Sequence, residues 1–124
     1  MSISKFIEFI IDLTNEDDIF LGTNFNAKIY FLNGGCYELY KTVKHYFNSA
    51  ECVISKNNDH CAILCGTKIY DANGIRHDVK NFKIANNNDI EYMENYFGLN
   101  INNLEASKLI KEINNCNIKI KLKR

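Results

Sequence analysis

Three residues of this chain have the types needed for nucleophilic chemistry: Cys36, His60 and Asp71. Cys36 follows two glycines in "NGGCYELYKTVKH", residues 33–45. The apolar positions Cys36, Leu39, Tyr40, Val43 and Phe47 have helical spacing, so the cysteine falls at a helix start, on the inward stripe. A thiol there is stabilised as a thiolate by the free N–H groups and the dipole of the first turn. The same N–H groups can serve a developing oxyanion. Gly34 and Gly35 would let the backbone turn sharply and leave room for a substrate. The bland alternative is a small buried residue, since free cysteine is among the most buried types.

The partners lie in a hairpin. "DHCAILC", "GT" and "KIYDANG" read as strand, turn and strand, with Gly66-Thr67 as a two-residue loop. That loop pairs Cys65 with Lys68, Leu64 with Ile69, Ile63 with Tyr70 and Ala62 with Asp71. Continued further, it sets His60 opposite Asn73. Side chains alternate faces, so His60, Ala62, Leu64, Ile69, Asp71 and Asn73 share one face. Cys61, Ile63, Cys65 and Tyr70 take the other. His60 and Asp71 are then diagonal neighbours at roughly 7 Å, within reach of a hydrogen bond. His60 would be the general base and acid, and Asp71 would hold its tautomer. Asn73 is a rival orienting group, and the Asn33 side chain is a rival donor to an oxyanion, although Asn in a turn is the plainer reading.

Other histidines and cysteines fit less well. His45 lies nine residues along the same helix and cannot meet the thiol. His77 sits beyond the turn and is a rival base only if a third strand returns it. Cys52, Cys61, Cys65 and Cys116 read as core or near-core residues. His60 and Cys61 point to opposite faces, which argues against a zinc site in "HCAILC", and no metal or other cofactor is expected.

The elements that must position these residues follow from periodicity and turn chemistry. "MSISKFIEFIIDLTNEDD" reads as an amphipathic helix with Ile3, Phe6, Ile7, Ile10 and Ile11 on one face. "AKIYFL" reads as a short strand or buried turn, "AECVIS" as a strand and "RHDVKNFKI" as another. Asp89 is the expected N-cap of a helix over "IEYMENYF" that Gly98 stops, and "NLEASKLIKEINN" is a last helix. The tail "NIKIKLKR" has the lysine-interrupted alternation of an edge strand. The expected fold class is α+β, with helices on an antiparallel sheet, in one domain over 1–124.

Composition narrows the function classes. Lys plus Arg and Asp plus Glu are both 15, so the basic excess usual in a nucleic-acid binder is missing. No apolar run approaches the ~18 residues of a membrane span, and the N-terminus lacks a signal-peptide layout. Five cysteines cannot all pair within the chain, which fits reduced thiols in a cytoplasm. The chain has no Pro and no Trp and is rich in Asn, Lys and Ile, the residues of AT-rich codons, which points to a low-GC bacterium, its phage or another mobile element.

The order Gly-Gly-Cys at a helix start, His60 on a strand and Asp71 on the next resembles the papain-like cysteine hydrolase superfamily, in its transglutaminase-core branch, with the NlpC/P60-type peptidases as a more distant relative. The resemblance covers residues 33–74 or so. It implies a papain-like core in which the Cys36 helix packs on the sheet carrying His60 and Asp71. It also implies a small cysteine hydrolase or acyl transferase acting on a protein or peptide amide. The alternative is a catalytically idle phage or mobile-element protein that binds and inhibits a host protein, an anti-CRISPR protein being one example.

Overall fold

In a computed structural model of the chain, residues 1–16, 26–97 and 105–116 are described. The fold is α+β, with the order α1(Ile3–Glu16), α2(Ala27–Leu32), α3(Cys36–Tyr46), β1(Glu51–Ser55), β2(Cys61–Cys65), β3(Lys68–Asp71), β4(Gly74–Arg76), β5(Phe82–Ile84), α4(Asn87–Tyr96) and α5(Ala106–Asn115). The five strands form one antiparallel sheet in the order β4-β3-β2-β1-β5.

The apolar stripe of α1 is buried as its spacing requires: Ile3, Phe6, Ile7, Ile10 and Ile11 all enter the core. There they meet Phe31 from α2, Leu39 and Val43 from α3, Ile63 and Tyr70 from the sheet, and Leu109 and Ile113 from α5. Phe6 and Phe31 are wholly inaccessible to solvent. Each such ring contributes about 1.5–3 kcal/mol by burial, and truncating Phe31 to Ala would cost about 3–5 kcal/mol.

"AKIYFL" is the helix α2, not a strand. The Asn26 side chain accepts from the Ile29 amide and caps it, and Ala27, Tyr30 and Phe31 bury one face at i, i+3, i+4 spacing. Its β-branched and aromatic composition suits a strand, but the cap and that buried face prevail. "RHDVKNFKI" is not one strand either. β4 ends at Arg76, a 3₁₀ turn covers Val79–Asn81, and β5 starts at Phe82. Arg76 and Asn81 both bond the Asp78 carboxylate, which bends the chain between the two strands.

Helix α4 begins one turn earlier than its sequence suggested. Asn86 is the N-cap and Asp89 is the third helical residue, the two closing a reciprocal capping box. The expected stop at Gly98 and the edge strand of the tail lie outside the described residues.

The hairpin register is the one the Gly66-Thr67 loop implied: Ile63 pairs with Tyr70, Leu64 with Ile69 and Cys65 with Lys68. Gly66 has φ 65°, the conformation such a loop demands of its first residue. The pairing does not continue to Asn73, because a second tight turn sets Asp71 opposite Gly74. Among the described residues, no helix is long and apolar enough to cross a membrane.

Candidate active site

Cys36 is the first residue of α3, and its neighbours set its chemistry. The short loop after α2 is closed by the amides of Asn33 and Gly35, which both donate to the Tyr30 carbonyl. Gly35 is required for close approach. A side chain there would collide with the Tyr30 ring, and its backbone at φ −90° is open to any residue. The room beside Cys36 is thus filled by Tyr30, not kept for a substrate.

Helix α3 does not dock on the His60–Asp71 face of the hairpin. Cys36 and Tyr37 pack with Cys52, Ile54 and Cys61, on the opposite face. His60 precedes β2, at the strand end, and there the imidazole meets the sulfur. The Cys61 backbone amide donates to Cys36 Sγ at 3.3 Å. The neighbouring Cys61 thiol is the largest influence lowering the Cys36 pKa; burial opposes it and His60 adds to it, leaving the thiol at about 5. Burial pushes the Cys61 thiol itself well up, so it stays protonated and able to donate. Cys61 was expected only to pack in the core; nothing in its spacing announced this contact, which depends on where α3 docks.

His60 is held from two sides. Its backbone amide donates to Ser55 Oγ at 3.0 Å, and Nε2 lies 3.4 Å from Asp71 Oδ2. Nδ1 is buried and has no hydrogen-bond partner among the described residues, so it is the ring nitrogen left for the thiol. Burial works to lower the imidazole pKa, but the Asp71 bond and the Cys36 sulfur outweigh it and hold it at about 9. The downward shift at Cys36 and the upward shift at His60 both favour the thiolate–imidazolium form of the pair.

Asp71 is only 2% exposed and has a third partner that sequence reading missed. Arg76 Nη1 donates to Asp71 Oδ2 at 2.8 Å, closer than His60, and the Asn73 amide donates to Oδ1 at 2.8 Å. Burial raises the Asp71 pKa, but His60, Arg76 and Asn73 together bring it below the ordinary carboxylate value. Arg76 was detectable in principle, since the turn that pairs Asp71 with Gly74 places residue 76 on the same face one step along.

The rival residues have other work. Asn73 serves Asp71 through its backbone amide and sits in the turn between Asp71 and Gly74, not in a strand pair opposite His60. Asn33 Nδ2 donates to the Ile29 carbonyl at 2.6 Å at the end of α2. His45 packs against Tyr46, and neither it nor His77 joins the hydrogen bonds of the site. Among the described residues no cluster of three or more His, Cys, Asp or Glu could hold a metal.

A cavity of about 550 Å³ opens on the His60 side of the sheet, lined by Leu32, Ser55, Asp59, His60, Arg76 and Phe82 among others. Cys36, 3% exposed, is not part of its lining.

No curated protein and no solved structure matches the chain. The family model that matches, Phage YunG-like protein, covers residues 14–118, and no papain-like or NlpC/P60 family does. The papain-like resemblance is thereby overturned. It rested on the order of three residues in a third of the chain, and a cysteine-led helix beside an antiparallel hairpin is an arrangement that fold physics allows in unrelated families. The chain belongs to the Phage YunG-like family.

Proposed function

We propose that this member of a phage family carries a cysteine nucleophile for acyl chemistry, hydrolysis or transfer at a protein or peptide amide. The observation that carries the reading is the thiol of Cys36 at a helix N-terminus, beside an imidazole whose far nitrogen faces a buried carboxylate. In this reading Cys36 attacks the carbonyl carbon, and the α3 N-terminus with the Cys61 amide stabilises the oxyanion. The His60 imidazolium then protonates the leaving amine, and Asp71 keeps the ring oriented. Water or a second amine resolves the thioester, giving up a proton to His60.

A direct test offers the protein an activated ester and reads the mass of the Cys36 peptide. Acylation at Cys36 that vanishes in His60→Ala supports the reading. Acylation spread evenly over the thiols, or none at all, refutes it.

A second reading has its own observation. Cys36 is 3% exposed and outside the cavity, as a structural buried thiol would be. Together with the family match this favours a catalytically idle protein that binds a host protein. Capture of the same host protein by wild type and Cys36→Ala would support it; capture that depends on the thiol would count against it.

A further inference from the structure

We propose that Arg76 is a positioning residue of the thiol site: it shares Asp71 with His60 and limits the carboxylate's hold on the imidazole. The inference rests on Asp71 as the orienting group of the Cys36–His60 reading, which it deepens.

The geometry gives Arg76 the stronger claim on Asp71. Both cations address the same oxygen, Oδ2, with Arg76 Nη1 at 2.8 Å and His60 Nε2 at 3.4 Å. A charge-assisted bond at the shorter distance draws more of the carboxylate's charge. Arg76 is itself braced on two other sides. Its Nε and Nη2 donate to the two Asp78 oxygens at 2.8 and 2.7 Å, and its guanidinium lies 5.0 Å from the centre of the Phe82 ring. That ring meets the His60 ring edge-on at 6.2 Å, so one aromatic side chain packs against both groups. Arg76, His60 and Phe82 also line the same cavity.

The hairpin turn explains why this pairing forms. Asp71 pairs with Gly74 and Ile69 with Arg76, so Asp71 and Arg76 are diagonal neighbours on one face of β3 and β4. Gly74, with φ 102°, permits the turn that returns β4 so tightly. Asp78 sits two residues beyond Arg76 and divides the guanidinium between two carboxylates. The charged and titratable groups around His60 are then Cys36 from α3, its chain neighbour Cys61, Asp71 from β3, Arg76 from β4 with Asp78, and Asp59 and Lys56 from the β1–β2 turn. Asp59 is occupied by Ser55 and Asn57, and among the described residues Arg76 is the basic side chain that shares the Asp71 carboxylate with His60.

Two substitutions should move His60 in opposite directions. Arg76→Gln removes the competing cation, so Asp71 acts on His60 alone and the imidazolium persists to higher pH. Asp78→Asn frees the guanidinium for Asp71, so the imidazolium is lost at lower pH. Side-chain NMR titration of His60, assigned by comparison with His60→Ala, reads both. The expected shifts are about half a unit each, up for Arg76→Gln and down for Asp78→Asn, or about threefold in protonation. Arg76→Lys, which keeps the charge, should restore a midpoint near that of wild type. A His60 midpoint that stays still or falls in folded Arg76→Gln overturns the proposal. Where Arg76→Gln does not fold, Asp78→Asn decides: a downward shift supports the proposal and any other result overturns it. The outcome is separable from the nucleophile reading. His60 midpoints that move as stated beside an ordinary Cys36 thiol would remove the role of Cys36 and leave that of Arg76 standing.

Discussion

The backbone amide of Cys61 points at the sulfur of Cys36 across 3.3 Å. Two consecutive residues therefore influence one sulfur, His60 by its nearby charge and Cys61 through its amide and its neighbouring thiol. Successive side chains of a strand face opposite ways. A single strand end can thus present groups to the thiol from both faces of the sheet, which a site laid over one face cannot do.

Replacing Cys61 separates these contributions. Cys61→Ala removes the neighbouring thiol and keeps the amide, so the Cys36 thiol should lose the largest influence that lowers its pKa. Its midpoint is expected to rise by about one unit. Thiolate absorbance in the Cys61→Ala protein checks this, and an unchanged midpoint would assign the whole effect to His60 and the helix terminus.

Gly35→Ala tests the entry to α3. The added methyl meets the Tyr30 ring, which is itself 8% exposed and packed against Phe31. Overpacking of this kind costs about 1–3 kcal/mol. Urea unfolding should show that loss, and a second substitution, Tyr30→Leu, should recover part of it by vacating the space. No loss in Gly35→Ala would mean that the loop yields freely and does not fix Cys36.

The thiol–imidazole pair makes stability depend on pH in a particular way. His60 rises from 6.5 to about 9 on folding, so its contribution is complete below 6.5 and lost as pH rises through 9. Cys36 falls from 9.0 to about 5, so its contribution is complete above 9 and lost as pH falls through 5. Between 6.5 and 9 the folded and unfolded pairs each carry one proton, and the two slopes cancel. Between 5 and 6.5 the unfolded pair holds an extra proton, and stability should rise with pH. The difference in unfolding free energy between wild type and the Cys36→Ala, His60→Ala double variant should follow that profile. A difference that keeps rising from pH 7 to 9 would contradict it.

Much of this was legible in the chain, and the failures have physical causes. The α1 stripe and the Gly66-Thr67 register come from short-range rules, period 3.6 and a two-residue loop, and both hold. The closeness of His60 to Asp71 also follows from register alone. What escaped depended on turns or on docking. "AKIYFL" has strand-forming residues but a cap and a helical buried face. The Asp71–Gly74 turn cut the hairpin short, freed Asn73 from His60 and delivered Arg76. Cys61 became a neighbour of the thiol only because α3 docks on the face opposite the one its partners share. Docking is a tertiary choice, and no window of sequence around Cys36 contains it.

The proposed chemistry requires Cys36 to be a thiolate paired with the His60 imidazolium at neutral pH. A titration of ultraviolet thiolate absorbance, taken as wild type minus Cys36→Ala, reads that one sulfur without requiring reagent access to a buried site. The account predicts a midpoint near 5 that moves upward in His60→Ala. A midpoint near the ordinary thiol value of 9.0, unmoved by His60→Ala, would contradict it.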